Sequence, residues 1–475
     1  MKLNSNYKKI TLLSALIICF TLSGCKKFVE VDDPIDQIPS DLVFNTDAKA
    51  ASAVRGLYGE MVGSTAPIFT INYAFGGGVQ LALGLSSDEL NCNSGNANYE
   101  FFSNSIASNS GNNSNYLWGP MYNMIFNANS VIQNIATSTG MTEPAKKQFA
   151  AEAKFIRAAN FFYLVNIYGD IPMPLTTDYK VNANLPRVPA DQIYDLILDD
   201  LKYAQANIGT AYSGTQRLRA NKYTISALLA RVYLYRKDWA NAELQASDVI
   251  DGSGSLYTME TDLSKNFLTS SKEVILQLQQ PGTNLYTWDG YDFISTGVPN
   301  YQITDSLYAA FEPGDLRKTN WIKTNTITTA GVTKSYNFPF KYKLNSGTGT
   351  TRTESLVFLR LSEVYLIRAE ARAQQNKLAA AVSDLDVVRK RAGITLIAST
   401  NPDITQVALL SAIAHERFVE LFAELGHRWL DLKRTGKADE ILKYKLNWRP
   451  EAKLFPIPLG DMNTNTALTQ NPGYN

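Results

Sequence analysis

The chain has two histidines, His415 and His427, and three cysteines among 475 residues. The histidines lie twelve positions apart, on or near one predicted helix, so they offer no i,i+4 metal pair. With so few thiols no Cys/His zinc set forms either. No Gly-x-Ser-x-Gly elbow is present to carry a nucleophilic serine. Gly76-Gly77-Gly78 lacks both a following Lys-Ser/Thr and the Gly-x-Gly-x-x-Gly spacing, which argues against a phosphate cradle. Neither charge sign dominates: 45 basic against 44 acidic side chains leave a net charge of +1. That balance gives no general attraction to nucleic-acid phosphates, and no nucleic-acid partner is expected. No metal and no cofactor are expected. Charged residues are only 19%, so Asn, Ser, Thr, Gln and Tyr must supply much of the wetted exterior. What is present is apolar material, 45% of the chain, enough for a large core and incompatible with global disorder.

The N-terminus points to a compartment. Lys2, Lys8 and Lys9 precede a short apolar run from Ile10 to Phe20, followed by Leu22-Ser23-Gly24-Cys25. This is the build of a secretory signal over residues 1–24, and the run is too short for a permanent membrane span. The Leu-Ser-Gly-Cys ending resembles the lipobox of bacterial lipoproteins, which implies acylation of Cys25. The alternative is a secreted chain in which Cys25 is incidental. Removing 1–24 also removes Cys19 and three lysines, leaving a side-chain charge of −2 and no disulfide framework if Cys25 carries lipid. No later stretch approaches eighteen apolar residues, so the membrane is expected to hold the chain by lipid anchor only.

The body is helical in period. Residues 151–168 put Phe155, Ala158, Phe162 and Val165 on one face, and Gly169-Asp170-Ile171-Pro172 stops the helix. A second helix fits 190–206, another 117–135, and a further one 404–425. Ala230, Trp239, Ala240 and Ala242 correspond to Ala369, Leu378, Ala379 and Ala381 at an offset of 139. Each set reads as two helices joined by a short polar turn, a helical hairpin of the tetratricopeptide type. The expected fold is therefore mainly α: a tetratricopeptide-like helical-hairpin scaffold with long irregular loops and minor β-hairpins. A division into 25–265 and 266–475 is expected.

Three inserts interrupt the helices. In 91–115, 17 of 25 residues are Asn, Ser or Gly; 281–301 is rich in aromatics; 324–352 is Thr-rich and alternating, reading as a hairpin or two. Long loops that are not linkers tend to carry function. A pyranose presents an apolar C–H face and a rim of hydroxyls, so its site needs a flat aromatic and amide or carboxylate partners. Residues 284–301 supply both: Trp288 and Tyr291 as platforms, Tyr286 beside them, and Asn284, Asp289 and Asp292 as hydrogen-bonding groups. Tyr99 with Asn96 offers a second wall. Burial against the scaffold is as strong a reading for Trp288 and Tyr291, and the stronger one for Phe101, Phe102 and Phe293. Neither 91–115 nor 281–301 contains Lys or Arg, which favours a neutral glycan over a sulfated or uronic one. Asp88-Glu89 and Asp289/Asp292 keep glycoside hydrolysis open as a minor alternative. Glu420, Glu424 and Arg428 read as ion pairs along a helix.

Several segments together resemble the SusD/RagB family of outer-membrane nutrient-binding lipoproteins. They are Ala151-Glu152-Ala153-Lys154-Phe155-Ile156-Arg157-Ala158 leading to Tyr168-Gly169-Asp170-Ile171-Pro172, Leu359-Arg360-Leu361-Ser362-Glu363 through Arg368-Ala369-Glu370, Glu416-Arg417, Arg428-Trp429-Leu430-Asp431-Leu432-Lys433-Arg434, and Pro456-Ile457-Pro458 near Asn471-Pro472-Gly473-Tyr474. The resemblance implies a helical scaffold with a variable ligand face and a SusC-like TonB-dependent outer-membrane transporter as partner. It implies capture of an oligosaccharide ligand, or of peptides in some members, without cleavage, on the cell outer membrane. Trp118, Trp239, Trp429 and Trp448, and His427 within its motif, are assigned to packing.

Overall fold

The computed structural model describes residues 43–63 and 74–474. The signal segment 1–24 and the lipid-attachment residue Cys25 lie outside the described residues. Helix α1 (Asp47–Glu60) starts at Thr46, whose Oγ1 accepts from the Lys49 amide. Helix α2 (Val79–Ser86) is buried along its whole length. Helices α3 (Gly119–Thr137) and α4 (Glu143–Tyr168) then pack together. Helix α4 begins eight residues before the expected start at 151. Thr142 Oγ1 accepts from the Ala145 amide, and Pro144 sits in the first turn, where its missing N–H costs nothing. Gly169, at φ +75°, ends it as expected. The predicted stripe of Phe155, Ala158, Phe162 and Val165 is buried, but so is nearly every residue from Phe149 onward, because α1, α3 and α5 all pack on this helix. It is a central helix rather than an amphipathic one.

Helix α5 (Ala190–Asn207) matches the expected span. Next come α6 (Lys222–Tyr235) and α7 (Trp239–Ile250), then, after a long excursion, α8 (Trp288–Phe293), α9 (Leu361–Gln374), α10 (Leu378–Ala392), α11 (Gln406–Glu420) and α12 (His427–Arg434). The two hairpins read at an offset of 139 are α6–α7 and α9–α10. Their turns share a left-handed residue at equivalent positions, Lys237 at φ +58° and Asn376 at φ +60°. Ala230, Ala242, Ala369 and Ala381 are fully buried where the helices approach, while Ala240 and Ala379 face out. The hairpins are far apart in sequence, yet α7 packs directly on α9. Residues 251–360 therefore leave the stack and return to it. Helix α11 is shorter than 404–425, because the chain turns sharply after Glu420, with Ala423, Leu425 and Gly426 at φ +52°, +46° and +68°.

Among the described residues three two-stranded antiparallel sheets accompany the helices. Strands β1 (Leu90–Asn91) and β3 (Gln302–Ile303) join the first two inserts. Strands β2 (Val274–Leu278) and β6 (Leu356–Arg360) close the neck of the excursion, with Leu278 opposite Leu356. Strands β4 (Ile322–Thr329) and β5 (Val332–Pro339) form one hairpin whose turn residues, Ala330 and Gly331, both have positive φ, the geometry that matches strand twist.

Where the neck meets the stack, charges are buried in quantity. Arg360 donates to both oxygens of Glu424, at 2.7 and 2.9 Å, and to Glu273 at 3.1 Å, and also pairs with Glu420. Arg317 binds Asp315 at 2.7 Å and Glu420 at 2.9 Å, and Arg391 binds Glu273 at 3.1 Å. Burial alone would raise the Glu420 carboxyl, but Arg391, Arg360 and Arg317 hold it well below the usual carboxylate range. The expected series Glu420, Glu424 and Arg428 does not exist: the helix has ended before Glu424, and Arg428 pairs with Asp88 at 2.7 and 2.8 Å. Arg231 likewise ties α6 to Glu363 on α9 at 2.6 and 2.7 Å. That pairing holds Glu363 at about 2 against the upward push of burial.

Candidate functional site

The excursion presents α8, and local chemistry explains its short helix. Thr287 Oγ1 accepts from the Gly290 amide as an N-terminal cap. Arg352 holds the approach from behind by donating to the carbonyls of Asn284, Gln280 and Gly282 at 2.6, 2.7 and 2.6 Å. Asn284 also bridges to Thr348, and Asn345 Nδ2 donates to the Ile294 carbonyl at 3.3 Å. Beneath the loop run Gly76-Gly77-Gly78. A Cβ on Gly76 would stand 2.0 Å from the Val62 carbonyl oxygen and 2.9 Å from Trp288 Cδ1, and one on Gly78 would stand 2.7 Å from the Tyr116 carbonyl oxygen. Gly77 has φ +103°, with Asp292 Oδ2 3.1 Å from the place of a Cβ. The glycine run is thus the seat on which the aromatic loop rests.

Tyr286, Trp288 and Tyr291 come together as one cluster. Tyr286 and Tyr291 stack at 5.7 Å between centroids, and Trp288 meets both edge-on, at 6.1 and 5.6 Å. Tyr291 is 51% exposed, while Trp288 and Tyr286 are half-buried. Edge-on and offset-stacked contacts of this kind are the preferred geometries of aromatic rings. The two aspartates diverge. Asp289 is only 3% exposed and accepts from Gln80 Nε2 at 3.3 Å, so it lies beneath the loop rather than at the rim expected for it. Burial, then neighbouring Asp292, pushes its carboxyl well above the usual range. Asp292 is half-buried, and burial pushes it up to about 7. Asn284 is held by its backbone at the base of the loop.

The second wall is brought alongside. Asn96 Nδ2 donates to the Asn300 carbonyl at 3.5 Å, Asn98 Nδ2 donates to Tyr301 Oη at 2.7 Å, and β1–β3 joins the loops behind. Tyr99 is half-buried and tilted against Phe102 at 5.7 Å. Phe101 and Phe293 are buried, as expected for anchors. Insert 91–115 is not wholly irregular, since Tyr99–Phe102 and Gly111–Asn113 are short helical turns. Of the other candidate carboxylates, Asp88 is 5% exposed and engaged by Arg428. Glu89 is 1% exposed and pushed well above the usual range by burial and by Asp88. Both face the interior. Sequence reasoning missed the glycine run and Arg352; the triplet itself was the available signal, since consecutive glycines mark close approach of another chain segment.

Comparison with known proteins agrees with this architecture. The model described as "SusD family" matches residues 300–474, and the model described as "Starch-binding associating with outer membrane" matches 27–234. SusD-like protein P25 of Formosa agariphila is 24% identical over 97% of this chain and 98% of its own length. The starch-binding protein SusD of Bacteroides thetaiotaomicron is 26% identical over 70% of this chain and 74% of its own length. A solved laminarin-binding SusD-like protein superposes with a TM-score of 0.70 at 24% identity, covering 90% of this chain and 99% of that one. With these two models matching separate parts of the chain and the same helical fold in solved relatives, the chain is SusD-like in sequence and in fold.

Proposed function

We propose that this protein is a non-catalytic outer-membrane lipoprotein, anchored through Cys25, that captures a neutral oligosaccharide and delivers it to a SusC-like TonB-dependent transporter. The observation that carries the reading is the Tyr286–Trp288–Tyr291 cluster, propped on a glycine seat with Tyr291 half exposed. A tyrosine ring so held accepts the C–H face of a pyranose, while Asn96 and Asp292 stand at the rim; a carboxyl poised near neutrality both donates and accepts. The starch- and laminarin-binding names of relatives support the ligand class, and the lack of Lys or Arg in 91–115 and 281–301 supports a neutral one. The interior positions of Asp88, Glu89 and Asp289 support binding without cleavage. Shallow stacking with water-competed hydrogen bonds should give affinities of roughly micromolar to millimolar, about −8 to −4 kcal/mol. The test is titration of the purified protein with neutral oligosaccharides, alongside Trp288→Ala and Tyr291→Ala, with reducing ends assayed in the same samples. Saturable binding that weakens in both variants, with no new reducing ends, is expected. Binding unchanged in both would move the site elsewhere, and new reducing ends would overturn the non-catalytic reading.

A further inference from the structure

A cavity of about 650 Å³ opens between α1, the 212–219 loop and the start of the aromatic loop, a size typical of small-ligand pockets. Four arginines line it, Arg55, Arg217, Arg219 and Arg352, and no Asp or Glu does. Among the described residues Arg219 alone is ion-paired, to Glu152 at 2.6 Å. The other three have no acidic partner among the described residues. Arg217 is spent on carbonyls, Leu256 at 2.8 Å and Lys272 at 3.1 Å, and lies over the Tyr257 ring. Its own backbone is left-handed at φ +52°, a conformation costly for a non-glycine residue and kept only where the surroundings impose it. Arg352 is likewise engaged by three carbonyls. Carbonyls satisfy N–H groups but do not cancel a cation. Arg55 is exposed on the cavity wall, and its one hydrogen bond among the described residues is to Ser52 Oγ at 2.9 Å. Gln216 and Gln280 add amides to the wall, and Gln280, 8% exposed, has an Nε2 without a hydrogen-bond partner among the described residues.

We propose that this cavity is a separate subsite for an anionic sugar, a sulfate ester or a uronate. Guanidinium groups recognise both anions by charge-assisted hydrogen bonds, and the amides suit the flanking hydroxyls. Gln280 and Arg352 also line the crevice under Tyr286 and Trp288, so the two surfaces share a wall. The subsite does not depend on the neutral-glycan reading of the aromatic cluster.

The experiment titrates the purified full chain, and Arg55→Glu, Arg55→Lys and Trp288→Ala, with a sulfated tetrasaccharide, a uronate tetrasaccharide and their uncharged counterpart. Thermal melts confirm that each variant is folded. At least one anionic sugar should bind more tightly than the uncharged one, with affinity falling as salt rises. Arg55→Glu should weaken it roughly tenfold or more, Arg55→Lys should recover part, and Trp288→Ala should leave it unchanged. The tighter of the two anionic sugars identifies the anion. Equal binding of charged and uncharged sugars would overturn the proposal. So would anion binding that survives Arg55→Glu, or that is lost in Trp288→Ala.

Discussion

In the helical stack buried acids pair with buried bases, whereas under the aromatic loop two acids face each other. Glu420, Glu424 and Glu273 sit buried among Arg317, Arg360, Arg391 and Lys341, and these cations hold the Glu420 and Glu424 carboxyls below the usual range against the upward push of burial. Asp289 and Asp292 form no ion pair among the described residues, and both carboxyls shift upward. Desolvation acts on both groups of acids in the same direction; the neighbouring guanidinium decides which way the balance falls. The scaffold thus spends its charges on locking helices that are distant in sequence. The aromatic loop keeps two carboxyls shifted upward and its rings partly uncovered.

The largest expected effect comes from opening the locked side of that comparison. Arg360→Ala removes the shared partner of Glu424, Glu420 and Glu273 and should destabilise the protein by about 3–5 kcal/mol, read as a lower urea midpoint. An unchanged midpoint would mean that the network contributes nothing net. A smaller effect, about 1–3 kcal/mol, is expected for Gly76→Ala, because the new methyl overlaps the Val62 carbonyl and presses on Trp288. Sugar binding should weaken with it, while a variant that binds normally would separate the seat from the platform. The smallest effect concerns pH. The folded protein keeps the Asp292 proton up to about pH 7, against an ordinary 3.8. Between those values the folded state holds more protons than the unfolded one, so the stability contributed by Asp292 is full below the ordinary value and is lost as pH rises toward 7. Asp292→Asn should therefore gain melting temperature relative to the parent between pH 4 and 7, with a constant gain above. A difference that does not vary with pH would place an ionised Asp292 in the folded protein throughout.

Legibility in the sequence followed the same division. The hairpin pair was readable because small residues recur at one offset, and Ala230, Ala242, Ala369 and Ala381 are buried between the helices, although Ala240 and Ala379 face out. The stop at Gly169 and the Thr-rich hairpin were readable because their causes are local. Arg360 and Glu424 were not, since their partners come from segments 64 residues apart and a helix boundary was misplaced between Glu420 and Arg428. In the candidate site the aromatics of 286–291 come together as one cluster, but Asp289 turns inward, because one face of so short a helix must pack on Gln80 and the glycine seat.

By itself the sequence determined the class of fold, the helix ends that carry their own caps and stops, the repeated hairpin and the loop rich in aromatic rings. All of these are set by neighbours within a few turns of chain. Only the tertiary structure decided that α7 abuts α9, that residues 251–360 form an excursion between them, that Gly76 and Gly77 seat Trp288, and that arginines from α1, the 212–219 loop and residue 352 surround one cavity. Those arrangements depend on which distant surfaces are buried together, and burial sets the charge state of an acid and the exposure of a ring.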